Sequence, residues 1–316
     1  MRILHVNNQA SVAFLISRSQ RKLGHDSDLL AVRKMNQAEP DIEASGVGDI
    51  FLKLLKMAPR YDLIHVHGGI GISGLGLLPL KATGKRFFAH YHGSELRENI
   101  QTSFHSIAER IFISTPDLHR YKCNVGGREL IHIPNPVMME GVQSIHLEDS
   151  SLIKGEEDTL RISHMPTRRA IKGTDNVIKA VEAAKESGAK LELDVIESLP
   201  REEAMRRLER SHICIDWMSE RYDIHGVVSL EAMVRGIPVI CNIDRSLYPS
   251  DISIIACKPS ILADKLVEIA DDPGMLIPIS RSSFNYVNKY HEPMKVALKL
   301  EEYIDEAGGE DDKQHS

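Results

Sequence analysis

The chain has 316 residues, 42% apolar and 27% charged, with a net charge of −6. That length favours two domains over a single core, and the composition excludes collagenous, low-complexity and disordered classes. The longest nearly uncharged stretch of the first half, residues 68–80, is broken by glycines and a proline and is too short to span a bilayer. The amino terminus shows no leader pattern, and Cys123, Cys214, Cys241 and Cys257 have no paired spacing, so a cytoplasmic protein is expected. Residues 1–140 carry +4 and the remainder −10. This is too little basic excess for nucleic acid, although a mildly positive first half suits an anionic acceptor or weak peripheral contact with the inner face of a membrane.

In chain order, periodicity predicts a strand at 2–6, a helix at 11–24, a strand at 27–32, a helix at about 49–57 and a strand at 61–67. A helix at 73–83, a strand at 86–91, a helix at 94–107 and strands at 110–114 and 130–134 follow. The pattern pauses from Pro134 to about Leu160, the natural hinge. It restarts with strands at 161–165, 190–196, 212–216, 237–241 and 252–256, interleaved with helices at 173–187, 201–210, 228–235 and 260–271. In the helix at 173–187, Val177, Ile178, Val181 and Ala184 form one stripe opposite Lys179, Glu182 and Lys185. Two helices, about 279–290 and 293–306, precede a frayed tail. Such alternation means βαβ units. The expected fold is α/β, two Rossmann-like doubly wound domains facing across a cleft: residues 1–140, residues 141–290, and a terminal segment 291–316 whose helix crosses back to the first domain.

Four constellations could carry chemistry. Gly69, Gly71 and Gly74 form a GxGxxG that follows a strand and opens a helix, with Glu95 downstream where a dinucleotide-binding acid would stand. A nicotinamide-dependent dehydrogenase is therefore one alternative, against which the turn comes after the third strand, not the first. His65 with His67 and His90 with His92 are two HxH pairs, each on one face of a strand, but no further ligand pattern supports a metal site. Arg168, Arg169 and Lys172 before Gly173 make a basic turn at a helix start, suited to a diphosphate or simply solvated. Finally, Asp223 and Glu231 straddle the glycine turn at His225, Gly226 and Val227, offering acceptors for sugar hydroxyls around backbone donors; taken alone, two such acids also serve as a cap and a dipole partner.

The run ISHMPTRRAIKGTDNVIKAVEAA, followed by the acid-x7-acid segment continuing as GVVSLEAMVRGIPVICN, resembles the retaining family-four glycosyltransferases of the GT-B fold. YDLIHVHGG, HYHGSELR, STPDL and IPNPV match first-domain landmarks in order, and RSSFNYVNKYHEPMKVALKLEEYIDE resembles the terminal helices. The resemblance implies that Arg169 and Lys172 neutralise the diphosphate of a nucleotide-sugar donor. It implies that Glu231 accepts from the ribose hydroxyls, and that Asp223, where the family has Glu, contacts the transferred sugar with help from His225, Gly226 and Val227. His92 would stand near the reacting centre. The loop Asn7–Ser11 departs from the pair of glycines usual in the family.

These readings lead to a metal-independent, retaining glycosyltransferase with no cofactor beyond the donor substrate and a lipid-linked or polysaccharide acceptor. The only DxD, Asp26 with Asp28, lies away from the donor residues, before a strand. A sugar-nucleotide epimerase of the same fold, the dehydrogenase above and a non-enzymatic sugar-binding protein are the alternatives. Trp217 and Tyr222 lie near the donor loop, where packing explains them.

Overall fold

The computed structural model describes residues 1–33, 38–71, 74–100, 102–142 and 159–306. The chain divides into two compact units, Met1–Pro136 together with the chain from Glu292 onward, and Val137–His291.

The first unit is built on a seven-stranded parallel sheet of β1 (Arg2–Val6), β2 (Asp26–Val32), β3 (Ile42–Ala44), β4 (Leu63–His67), β5 (Arg86–Tyr91), β6 (Arg110–Ile113) and β7 (Ile131–His132). Their spatial order is β3-β2-β1-β4-β5-β6-β7. Strand alternation sorts the side chains into two buried layers. Leu4, Val6, Ile64, Val66, Phe87 and Ala89 pack on one face with Leu54 and Leu80. Ile3, Leu63, Phe88 and Phe112 face the other way, under Val12 and Ile16 of the helix Val12–Lys22 and Val296, Leu300 and Ile304 of the helix Pro293–Glu306. The same parity puts His5, His65, His67 and His90 on this second face, and the parallel register pairs His5 with His65 and His67 with His90. The order in which strands are added reverses between β1 and β4, so the loops after these strands flank the first unit's topological switch point, where open α/β sheets place ligands.

The second unit carries a five-stranded parallel sheet of β8 (Leu160–His164), β9 (Leu191–Val195), β10 (Ile213–Ile215), β11 (Val239–Cys241) and β12 (Ile255–Ala256), ordered β12-β11-β10-β8-β9. Ile162, Ile213, Ile215 and Ile240 pack under the helices Thr174–Glu186 and Leu262–Asp271, using the stripe Val177, Val181 and Ala184. Cys214, Val239 and Cys241 face the helices Val227–Met233 and Leu276–Tyr290. Here the switch point lies between β8 and β10.

Three elements differ from the periodicity. The helix expected at 73–83 is a 3₁₀ turn, Gly74–Leu77, leading into four helical residues, Leu78–Lys81; Gly74, Gly76 and Pro79 deprive it of helical propensity. The helix expected at 94–107 stops after Ser94–Arg97 because Asn99 takes a left-handed φ of 52°, and a 3₁₀ turn, Ser103–Ser106, follows. The three-residue β3, next to Pro40, is too short to show a period. Most of the expected hinge, residues 143–158, and the expected tail from 307 lie outside the described residues. The DxD pair does not precede a strand: Asp26 and Asp28 lie within β2, where Asp28 accepts from Tyr61 Oη at 2.7 Å.

Asn99 tolerates its conformation better than a β-branched residue would. Asn99→Val should lower stability by about 1–2 kcal/mol in urea denaturation, whereas Asn99→Gly should leave it within about 0.5 kcal/mol of the parent.

Candidate functional site

In the second unit the basic turn and the glycine turn meet. Lys172 ends the short helix Arg169–Lys172 that follows β8, and its ammonium is buried against the carboxylate of Asp216, the first residue after β10. Asp216 is 1% exposed, and its other oxygen accepts from the Gly226 amide at 2.8 Å and from Ser229 Oγ at 2.7 Å. Burial works to raise the Asp216 pKa, but Lys172, Ser229 and the Gly226 amide outweigh it and hold the carboxyl below its ordinary value. The Lys172 ammonium also lies 4.3 Å from the centre of the Trp217 ring. Gly226 is required by close approach: a Cβ there would stand 2.7 Å from Trp217 Nε1, 2.9 Å from Lys172 Nζ and 3.0 Å from Asp216 Oδ2. Both loops belong to the switch point between β8 and β10.

The other expected residues are placed differently. Arg169 is half-exposed and bonds Glu197, beyond the end of β9, with Nε 3.0 Å from both carboxylate oxygens; the guanidinium holds the Glu197 pKa down. Glu231 is buried, its carboxylate 2.5 Å from Arg201 at the start of the helix Arg201–Leu208 and its carbonyl accepting from Arg235 at 2.9 Å. His225 is buried with its ring on Tyr248, 4.9 Å between centroids, and near His291 at 6.0 Å. Asp223 is half-buried, and its carbonyl accepts from the Asp244 amide. Val227 opens its helix. The Gly226 amide, expected to point outward between the two acids, is instead taken by Asp216, because a buried carboxylate beside one lysine still needs donor partners. Trp217 and Tyr222 meet edge to face at 5.6 Å, as packing predicts. Sequence reasoning missed Asp216, Glu197 and Arg201. The signal for Asp216 was available: it is the first polar residue after an apolar strand, at the strand end where sites form.

In the first unit, His92 lies just beyond β5. Its Nε2 is 3.2 Å from His67 Nδ1 and its Nδ1 is 2.6 Å from Ser114 Oγ, so both ring nitrogens are engaged inside the unit. Asn135 is a further partner of the ring. The turn after His92 is clamped by the buried pair of Arg97 with Asp117, Nε to Oδ2 at 2.7 Å, which joins the segments HYHGSELR and STPDL. Five histidines crowd this face. Burial pushes His5 and His92 down to about 4 and lowers His65, His67 and His90 still more clearly from the ordinary imidazole value. Among the described residues His65 has no hydrogen-bond partner on either nitrogen. The sets His5, His65, His67 and His67, His90, His92 bring ring nitrogens within 4.8 Å of one another.

The loop from Asn7 to Ser11 holds its own conformation: Asn7, Ala10 and Ser11 all have positive φ, and Asn7 Nδ2 donates to the His67 carbonyl at 2.7 Å. Gln9 donates to Glu95 Oε1 at 2.9 Å, and burial raises the Glu95 pKa. A Cβ on Gly68, where φ is 69°, would stand 2.5 Å from Glu95 Oε1 and 2.6 Å from Gln9 Nε2. The GxGxxG turn thus follows the fourth strand, leads into a 3₁₀ turn in place of the expected helix, and its acid is occupied by Gln9.

Two parallel sheets with crossover helices, each with candidate residues at its switch point, make the two-domain Rossmann-like architecture of the GT-B fold. No family model and no curated protein matches the sequence. Among solved structures, the chain is similar to sucrose-phosphate synthase from Thermosynechococcus elongatus, with a TM-score of 0.70 at 14% identity over 98% of this chain and 100% of that one. It is similar to Anabaena HepE in complex with UDP and glucose, TM-score 0.66 at 12% identity over 97% and 100%. It also resembles UDP-GlcNAc 2-epimerase from Neisseria meningitidis bound to UDP-GlcNAc, TM-score 0.56 at 12% identity over 96% and 99%.

Asp216→Ala strands a buried ammonium together with an amide and a hydroxyl, and should cost about 3–5 kcal/mol in denaturant unfolding. The histidine core makes stability depend on pH with a definite sign. Between about 6.5 and 4 the unfolded chain binds protons that folded His5 and His92 exclude, so stability is lost as pH falls through this window and is level above it. His65→Leu should make the acid-side loss shallower by up to about 1.4 kcal/mol per pH unit between pH 6 and 5, read from urea unfolding at stepped pH.

Proposed function

We propose that the chain is a glycosyltransferase that moves a sugar from a nucleotide diphosphate sugar to a hydroxyl acceptor, lipid-linked or polysaccharide, with retention and without a metal ion. The observation that carries this reading is the seating of the Lys172 ammonium against Gly226 at the switch point of the second unit. Breaking a glycosyl phosphate bond builds negative charge on the departing diphosphate. A cation held in place by Asp216, with the Arg169 guanidinium three residues back in the same turn, meets that charge without reorganising. A diphosphate would draw Arg169 away from Glu197, an exposed pairing that costs little to give up. Glu231, paired with Arg201, accepts from ribose hydroxyls, and Asp223, with His225, Gly226 and Val227, lines the sugar side. His92, a neutral imidazole just beyond β5, is the first unit's candidate for contact with the transferred sugar.

Among the described residues no helix is long and apolar enough to cross a membrane. In the helix Val47–Met57, Val47 and Leu52 are exposed beside Lys53 and Lys56, which supports weak peripheral contact with an anionic membrane surface and a place on the cytoplasmic face. A second reading, an epimerase acting on the nucleotide sugar alone, is favoured by the likeness to several UDP-GlcNAc 2-epimerases.

Arg169→Ala should leave the melting temperature unchanged and lower turnover of UDP-glucose or UDP-GlcNAc by about tenfold to a thousandfold, measured as released UDP with acceptor mixtures. Unchanged turnover removes the phosphate role. Conversion of donor alone into its 2-epimer selects the second reading.

A further inference from the structure

Four histidines of the first unit, His5, His67, His92 and His90, lie along one directed hydrogen-bond chain. Gln20, buried in the helix Val12–Lys22, donates from Nε2 to Glu301 Oε1 at 3.2 Å. A carboxylate only accepts, so this contact settles which end of the amide is which. Gln20 Oε1 then faces His5 Nε2 at 2.7 Å and also receives Ser27 Oγ at 3.2 Å. An amide oxygen only accepts, so His5 carries its proton on Nε2. Being neutral in the buried core, it presents a bare Nδ1 to His67 Nε2 at 3.0 Å. His67 must therefore be the donor there, which leaves its Nδ1 bare for His92 Nε2 at 3.2 Å. His92 in turn has a bare Nδ1, which takes the proton of Ser114 Oγ at 2.6 Å, and Ser114 accepts from His90 Nε2 at 3.1 Å. One amide orientation propagates through these four rings.

The geometry separates this arrangement from a metal site. Ring centroids of His5 and His67 are 5.2 Å apart against 3.0 Å between the bonded nitrogens, and those of His67 and His92 are 5.3 Å apart against 3.2 Å. Each difference is close to two imidazole radii, so the rings meet head to tail and the nitrogens point at one another. That is the line of an N–H···N bond, whereas two ligands of one ion aim their lone pairs at a common third point. The chain also ends on an amide, which does not take up a proton at neutral pH. It therefore orients without conducting.

We propose that Gln20 is a positioning residue for His92, acting through His5 and His67 to hold His92 as the single neutral tautomer with its proton on Nε2 and its Nδ1 turned to Ser114. With both nitrogens engaged in this way, what the chain fixes is the orientation of the ring at the end of β5. Only the kinetic consequence rests on the reading that His92 borders the transferred sugar.

The test is two-bond ¹H–¹⁵N correlation spectroscopy of the full-length ¹⁵N-histidine-labelled protein at pH 7.5. His5, His67, His90 and His92 should all show the Nε2–H pattern. Gln20→Leu should give His92 a second tautomer while circular dichroism shows the fold intact, and the exchange of acceptor and donor in Gln20→Glu with Glu301→Gln should restore the single form. An Nδ1–H pattern at His67 or His92 in the parent protein overturns the proposal, and this reading needs no variant to fold. A folded Gln20→Leu protein with His92 unchanged overturns it too, as does stoichiometric zinc on these rings in the purified protein. With donor turnover as readout, Gln20→Leu should lower kcat about tenfold to a hundredfold at constant KM. A parent protein that turns over no nucleotide sugar refutes the proposed function and leaves the tautomer result to stand or fall by itself.

Discussion

The second unit is organised around one buried ion pair, Lys172 with Asp216. Two charges taken out of water are costly unless every remaining bonding position is filled, and here the filling builds the site. Asp216 takes the Gly226 amide and the Ser229 hydroxyl, and Lys172 lies over Trp217. The loop after β8, the loop after β10 and the helix Val227–Met233 are thereby tied at a single point. Gly226 is the only residue type compatible with that knot, because a side chain there would meet all three of its neighbours. A cation held this way is already oriented when charge appears beside it, which is the condition that the proposed stabilisation of a leaving diphosphate requires.

The first unit meets the opposite problem, polar groups buried without charge. Its histidines share one face of the sheet because β1, β4 and β5 are in parallel register, and burial keeps them neutral. Neutral imidazole both donates and accepts, so a row of them can satisfy itself in series. His65 is the member left over, packed between His90 and Phe88 with both nitrogens unpaired among the described residues. The Arg97 and Asp117 pair fixes the turn after His92, so the orientation of that ring is held from the core side and from the loop side together.

Much of this was legible in the residues. The helix Thr174–Glu186 follows from its stripe, the parallel sheets follow from apolar runs alternating with amphipathic stretches, and Lys172 and Gly226 stood out by residue type and spacing. Two expected helices failed where glycine, proline and a left-handed asparagine outweighed apolar periodicity. Asp216 was passed over although its place after an apolar strand marked it, because the partner that gives it a role lies 44 residues away in sequence. The HxH pairs were visible, but His5 and Gln20, which turn them into a chain, were not, since nothing near either in sequence marks it as polar core.

The order of residues alone determines what depends on neighbours three or four positions apart: which segments become strands or helices, which faces they bury, and that the sheets must be parallel. Tertiary structure decides what depends on register and on the meeting of distant loops. Arg169 and Glu231 read alike as ligand-binding groups, yet each is claimed by a partner from another loop, Glu197 and Arg201. The Gly226 amide turns inward to Asp216, and the tautomer of His92 is set by an amide 72 positions earlier in the chain. The reason is desolvation: once buried, each donor and acceptor must find its complement in three dimensions, and the chain between them carries no record of which one it will be.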